Sequence, residues 1–179
     1  MQRGIFVSSL ALAGLLATAP VAARSVIHDA YLGAGVMPWS YEGAGEREEA
    51  LGGRLMGGVM FTEYLGVEAH FGWLGEADTD SQRTVELDSV DSVLVRLNRP
   101  VSERLDLYAL AGYSSVRMVI RPRFASDNDE SPNASSVSLG LGAQYRVQDD
   151  LSVGLDAISY ASDPGFDFLA LGATLRWHF

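Results

Sequence analysis

The stretch Val137-Ser138-Leu139-Gly140-Leu141-Gly142-Ala143-Gln144-Tyr145-Arg146-Val147 decides the fold. Its odd-numbered residues, Val137, Leu139, Leu141, Ala143, Tyr145 and Val147, are apolar or aromatic, and those between them are Ser138, Gly140, Gly142, Gln144 and Arg146. Successive side chains of an extended chain point to opposite faces, whereas a helix would scatter both sets around its circumference. The segment is therefore a strand with one greasy face and one small or polar face.

The pattern repeats in both directions. At the C-terminal end Leu169, Leu171, Ala173, Leu175, Trp177 and Phe179 alternate with Ala170, Gly172, Thr174, Arg176 and His178. Between these two strands, Leu151, Val153, Leu155 and Ala157 alternate with Ser152, Gly154, Asp156 and Ile158. Upstream lie Leu105 to Gly112, the run ending in Val93, Val95 and Leu97, and Leu65 to Trp73. Two weaker strands complete the set, one through Leu55, Val59 and Phe61, the other through Ala30, Leu32, Ala34 and Val36. The reading gives eight strands. Short links at Thr62 to Glu63, Pro100 to Glu103 and Asp149 to Asp150 alternate with longer ones near Pro38 to Leu51, Gly75 to Thr84, Arg121 to Ser135 and Ser162 to Asp167. Pro38, Pro100, Pro122, Pro132 and Pro164 are all expected in connections, where a missing N–H breaks no ladder.

Composition narrows the chemistry. The chain has 179 residues, no cysteine, 23 acidic residues and 13 basic ones, every one of them arginine. Disulfides, cysteine nucleophiles, cysteine-ligated zinc and iron–sulfur clusters are excluded, and no cofactor is expected. The net charge of -10 argues against nucleic acid as a partner, since phosphate binding needs an excess of cations. Residues 1–23 read as a signal peptide: Arg3, an apolar run from Gly4 to Leu16, Pro20, then the small residues Val21-Ala22-Ala23, with cleavage expected after Ala23. The run is shorter than the roughly 20 residues that span a bilayer as a helix. Residues 24–179 are expected to be one domain.

Eight alternating strands fit either a soluble barrel with an apolar core or a membrane barrel with an apolar exterior. The second face decides between them. A water-facing surface would carry many charges, but here it is mostly Gly, Ser, Ala, Gln and Tyr with roughly one charge per strand, as suits a narrow interior packed with side chains. Aromatic residues gather near the ends of the greasy face: Phe61, Trp177 and Phe179 towards the short turns, Phe71, Trp73 and Tyr113 towards the loops. Such rings favour membrane interfaces. The fold class is thus an all-β, eight-stranded, antiparallel up-and-down transmembrane barrel.

These residues resemble the small eight-stranded outer-membrane barrels, the family of the OmpA transmembrane domain and OmpX. The resemblance is carried by Tyr31-Leu32-Gly33-Ala34-Gly35-Val36, the hairpin from Arg54-Leu55-Met56-Gly57-Gly58-Val59 to Leu65-Gly66-Val67-Glu68, Ala111-Gly112-Tyr113, Ser138 to Ala143 and the terminal Phe179. It implies insertion into the outer membrane of a Gram-negative bacterium as a monomer. It also implies contact with outer-membrane lipid and lipopolysaccharide, and recognition by the barrel-assembly machinery through Leu175, Trp177 and Phe179. The family's assembly signal has a glycine where this chain has Thr174. No peptidoglycan-binding domain of the kind that OmpA-like proteins append is expected after the barrel.

Eight charges fall on the inner face: Asp29, Glu68, Asp106 and Asp156 against Arg54, Arg96, Arg146 and Arg176. A network is expected, with Arg96 between Glu68 and Asp106, and Arg146 and Arg176 around Asp156, because a guanidinium can hold carboxylates from two sides. The loops hold most of the remaining acid, including Glu42, Glu46, Glu48 and Glu49, then Glu76, Asp78, Asp80 and Glu86, then Asp127, Asp129 and Glu130. These runs match no calcium-loop template and read as solvated surface. The expected role is envelope integrity, adhesion or protection, with the loops meeting a surface or host ligand and no catalysis. A narrow pore and a lipid-modifying enzyme are the alternatives, and a soluble secreted carrier is a third. His28 and His178 are expected near the short-turn rim and His70 beside Glu68, none of them in the His-x-Ser pattern of lipid A deacylase barrels.

Overall fold

The computed structural model describes residues 27–43, 46–73, 83–122, 133–163 and 166–179. They form eight strands: β1 Asp29–Gly43, β2 Glu46–Met60, β3 Leu65–Trp73, β4 Arg83–Pro100, β5 Leu105–Pro122, β6 Asn133–Gln148, β7 Leu151–Asp163 and β8 Phe166–His178. Each pairs antiparallel with its sequence neighbours, and β8 returns to β1 to close the barrel. Closure removes both sheet edges, so the ladder groups of the wall are paired within the wall itself.

The alternation of the sequence becomes an inside and an outside. Leu139, Leu141, Leu171 and Leu175 are 61%, 69%, 53% and 50% exposed, while Arg54, Glu68 and Arg176 have no exposed surface. A water-soluble barrel would show the reverse. The apolar belt is about nine residues deep along each strand, the length that crosses a bilayer when strands are tilted; Leu65, Val67, Phe71 and Trp73 mark it on β3. Above it the outward side chains turn polar, with Asp91 on β4, Ser115 on β5 and Ser135 on β6 lying side by side in register.

The expected loop from Pro38 to Leu51 is largely strand. The β1–β2 ladder continues through Pro38↔Leu51 to Gly43↔Glu46, so Pro38 lies within β1 and not in a connection. A ladder needs paired backbone, not a greasy face, and the hairpin runs on after lipid-facing side chains end. The ladder from β1 to β8 passes from Val36↔Ala173 to Trp39↔Ala170 without Met37 or Pro38, which places the missing N–H on that side. Pro100 and Pro122 are the last residues of β4 and β5. Pro132 and Pro164 lie outside the described residues, as does the whole signal segment 1–23. Register shifts occur at Leu87/Ser89, Arg146/Gln148 and Ser159/Ala161.

Candidate functional site

The interior is organised around two buried carboxylates. Glu68 Oε2 accepts from the Tyr31 hydroxyl and, at 2.7 Å, from Arg96 Nη1, while its Oε1 is 2.5 Å from His70 Nε2. Asp156 receives Arg54 Nη2 at 2.8 and 2.7 Å and the Tyr108 hydroxyl at 3.0 Å. Tyr160 joins the two centres, its hydroxyl 2.8 Å from Arg54 Nη1 and 3.0 Å from His70 Nδ1. Arg176 Nη2 donates to Tyr108 at 2.9 Å and lies 3.9 Å from Glu68 and 3.8 Å from Asp156. The Arg96 guanidinium stacks 3.8 Å from the Tyr108 ring centroid, adding a cation–π contact.

Towards the short turns the network narrows to one residue and opens again. Gln144 Oε1 accepts from Arg96 Nη2 at 2.8 Å and Arg176 Nη1 at 3.1 Å. That fixes its amide so that Nε2 faces Ser152 Oγ at 3.0 Å. Ser152 is bonded to His178 Nε2, and His178 Nδ1 is 2.7 Å from Asp29 Oδ2. Strand placement explains why Asp29, Gln144, Ser152 and His178 meet: they occupy inward positions of β1, β6, β7 and β8, the strands that surround the closing seam.

Large side chains lie flat because the facing positions are glycine. A Cβ at Gly58 would come 2.3 Å from Tyr31 Cζ, and one at Gly142 would come 2.3 Å from Tyr108 Cζ. Towards the long loops the interior changes character. Ser92, Ser114 and Ser138 are chained by hydrogen bonds of 2.6 and 2.5 Å, and beyond them Met37, Trp39, Val90, Val116 and Phe168 form an apolar layer with Tyr160 and Ala161.

The structure brings together Arg54, Glu68, Arg96, Asp156 and Arg176 of the expected charge set, with Asp29 joined through His178 and Gln144. It does not bring Asp106 or Arg146 into contact with them. Arg96 takes Gln144 and Asn98 in place of Asp106, and Arg54 takes the place expected of Arg146 at Asp156. Both excluded residues are half-buried near the short-turn end, below the level where the guanidiniums converge. One charge of each sign drops out, so three arginines still face three carboxylates. Tyr31, Tyr108, Tyr160 and Gln144, the connectors of the network, were not singled out from the sequence. Inward positions opposite Gly58 and Gly142 were the available signal for the first two tyrosines.

Phe61, Phe71, Trp73, Tyr113, Trp177 and Phe179 all point outward and are 44%, 44%, 47%, 58%, 57% and 66% exposed. Tyr64 and Tyr145 add to the short-turn ring. Leu175 lies on the same outer face of β8 as Trp177. Among the described residues no group of His, Asp and Glu is placed to hold a metal ion. Glu49 is exposed; the side chains of Glu42, Glu46, Glu48 and Glu86, and residues Glu76, Asp78, Asp80, Asp127, Asp129 and Glu130, lie outside the described side chains.

A closed wall, greasy outside and polar within, meets its match in the sequence family described as the outer membrane protein beta-barrel domain, which covers residues 8–179. The chain belongs to that family. Family membership places it in the outer membrane, where the short turns of such barrels face the periplasm. Among solved structures, Neisserial surface protein A is similar at a TM-score of 0.69 and 13% identity, over 84% of this chain and 97% of that one. Ail, the attachment invasion locus protein of Yersinia pestis, is similar at 0.64 and 15%, over 84% and 98%. OprG from Pseudomonas aeruginosa is similar at 0.55 and 11%, over 84% and 95%. At these identities the likeness is one of fold. No curated protein matches the sequence.

Proposed function

We propose that this protein is a monomeric outer-membrane barrel, occluded by its own side chains, which acts in surface interaction or envelope integrity through its acidic extracellular loops. The observation that carries the reading is the interior: fully buried arginines held by Glu68 and Asp156, capped towards the loops by the apolar layer around Trp39 and Phe168. Eight strands leave room for side chains and little else. With the bore filled, the loops are where a ligand is met. The fold likeness to a protein named for attachment and invasion supports the same reading. The leader is removed after Ala23, the belt meets lipid and lipopolysaccharide, and the outward Leu175, Trp177 and Phe179 present the assembly machinery with its signal.

In a planar bilayer the folded protein is expected to give no steady large openings. Steady openings that Arg96→Ala abolishes would favour a charged pore instead. Replacing the extracellular loops with short turns is expected to leave the heat-modifiable gel shift intact and to remove attachment of expressing cells to host cells or matrix. Attachment unchanged by the replacement would move the role to the barrel.

A further inference from the structure

The periplasmic mouth carries a second constellation that the surface role does not use. Ser152 on β7, His178 on β8 and Asp29 on β1 are linked in order: serine hydroxyl to His178 Nε2, and His178 Nδ1 to the Asp29 carboxylate at 2.7 Å. A carboxylate only accepts, so in a neutral imidazole the proton sits on Nδ1, and Nε2 is left as the acceptor for the serine. That is the arrangement of nucleophile, base and orienting acid found in acyl-transfer enzymes on unrelated folds. A fourth part is present. Gln144 aims its NH2 group at Ser152 Oγ from 3.0 Å, held there by the two arginines on its oxygen. The same Nε2 lies 3.3 Å from His178 Nε2, so the amide sits over the serine–histidine contact, within reach of an oxygen that develops on a carbon bonded to Ser152.

The mouth also holds the two charges that stay outside the central network. Arg146 is the register partner of Ser152 across β6 and β7, half-exposed and bonded to no carboxylate among the described residues. Asp106 lies on β5, on the other side of β6 from Ser152. An anionic group held by Arg146 would bring an adjoining ester towards Ser152. Ser152 is covered, while His178 is 7% exposed and the Asp29 side chain 25%, so the base and its orienting acid are the members of the group that meet the periplasmic mouth.

We propose that Ser152, His178, Asp29 and Gln144 form a serine acyl-transfer site at the periplasmic mouth, acting on small carboxylic esters that carry an anionic group. Ser152 Oγ bonds to the ester carbonyl carbon and passes its proton to His178 Nε2, and the carbonyl electron pair moves to the oxygen facing Gln144. Collapse expels the alcohol, which takes the proton from His178 and leaves an acyl-serine. Water, deprotonated by His178, then releases the carboxylic acid and restores the serine. Asp29 holds the ring and its charge throughout.

The test uses the full barrel folded in detergent, treated with an alkyl fluorophosphonate and, separately, with 4-nitrophenyl acetate and 4-nitrophenyl hydrogen glutarate. Expected is a mass adduct on the peptide containing Ser152, absent in Ser152→Ala and formed at least ~10²-fold more slowly in His178→Gln, with the heat-modifiable shift retained in each. Arg146→Gln is expected to lower kcat/KM about tenfold more for the glutarate ester than for the acetate. Failure of the wild-type barrel to label or turn over either ester faster than Ser152→Ala overturns the site and leaves these four residues a structural clasp. Equal losses on both esters in Arg146→Gln overturn the anionic substrate class.

Discussion

The two halves of the barrel interior are built from opposite materials. The periplasmic half holds arginines, carboxylates and tyrosines that satisfy one another almost completely, whereas the extracellular half is closed by Met37, Trp39, Val90, Val116 and Phe168. One half resists change because each member leaves a charged partner behind; the other resists it because each member fills space. The difference teaches that a narrow bore can be filled by pairing or by packing, and that the two fail differently when a side chain is removed.

Substitutions in the two halves should separate these modes, read by urea unfolding of the detergent-folded protein. The largest expected effect is Glu68→Ala, which strips Arg96, Tyr31 and His70 of their acceptor and should cost about 3–5 kcal/mol, since a buried charge is left unpaired. Glu68→Ala together with Arg96→Met should cost less than Glu68→Ala alone, and a double variant as unstable as the sum would break the pairing account. In the apolar half Phe168→Ala should cost about 3 kcal/mol through the cavity it leaves, with no such rescue by a second substitution. Next, Gly142→Val should cost about 2 kcal/mol by driving a side chain into the Tyr108 ring, and Tyr108→Phe should not relieve it. The smallest effect belongs to Asp106→Asn, within about 0.5 kcal/mol, because a half-exposed carboxylate with no partner is being changed.

The polar half was the more legible of the two, and its limits are physical. Period-two alternation identified the strands, and Arg54, Glu68, Arg96, Asp156 and Arg176 could be assigned to the inner face because each sits between greasy neighbours. Their partners could not be read in the same way. Arg54 meets Asp156 across the bore, and cross-bore pairing depends on the stagger of the closed sheet, which no local pattern encodes. The apolar half was missed because Trp39 lies in a stretch that reads as a loop once the lipid belt ends, and because the register shift at Ser159/Ala161 turns both Tyr160 and Ala161 inward. The long β4–β5 ladder pairs out to Arg83↔Pro122, well past Val93 and Gly112, where the period-two pattern is read, because backbone pairing continues where side-chain alternation stops.

All of this depends on which face of the wall meets hydrocarbon. The chain has no cysteine, so single cysteines can be placed and spin-labelled one at a time in lipid vesicles. At Leu139, Leu141, Leu171 and Leu175 the nitroxide is expected to relax strongly with dissolved oxygen and weakly with a water-soluble nickel chelate. Nickel access exceeding oxygen access at these four positions would contradict the account and make the barrel a water-facing one.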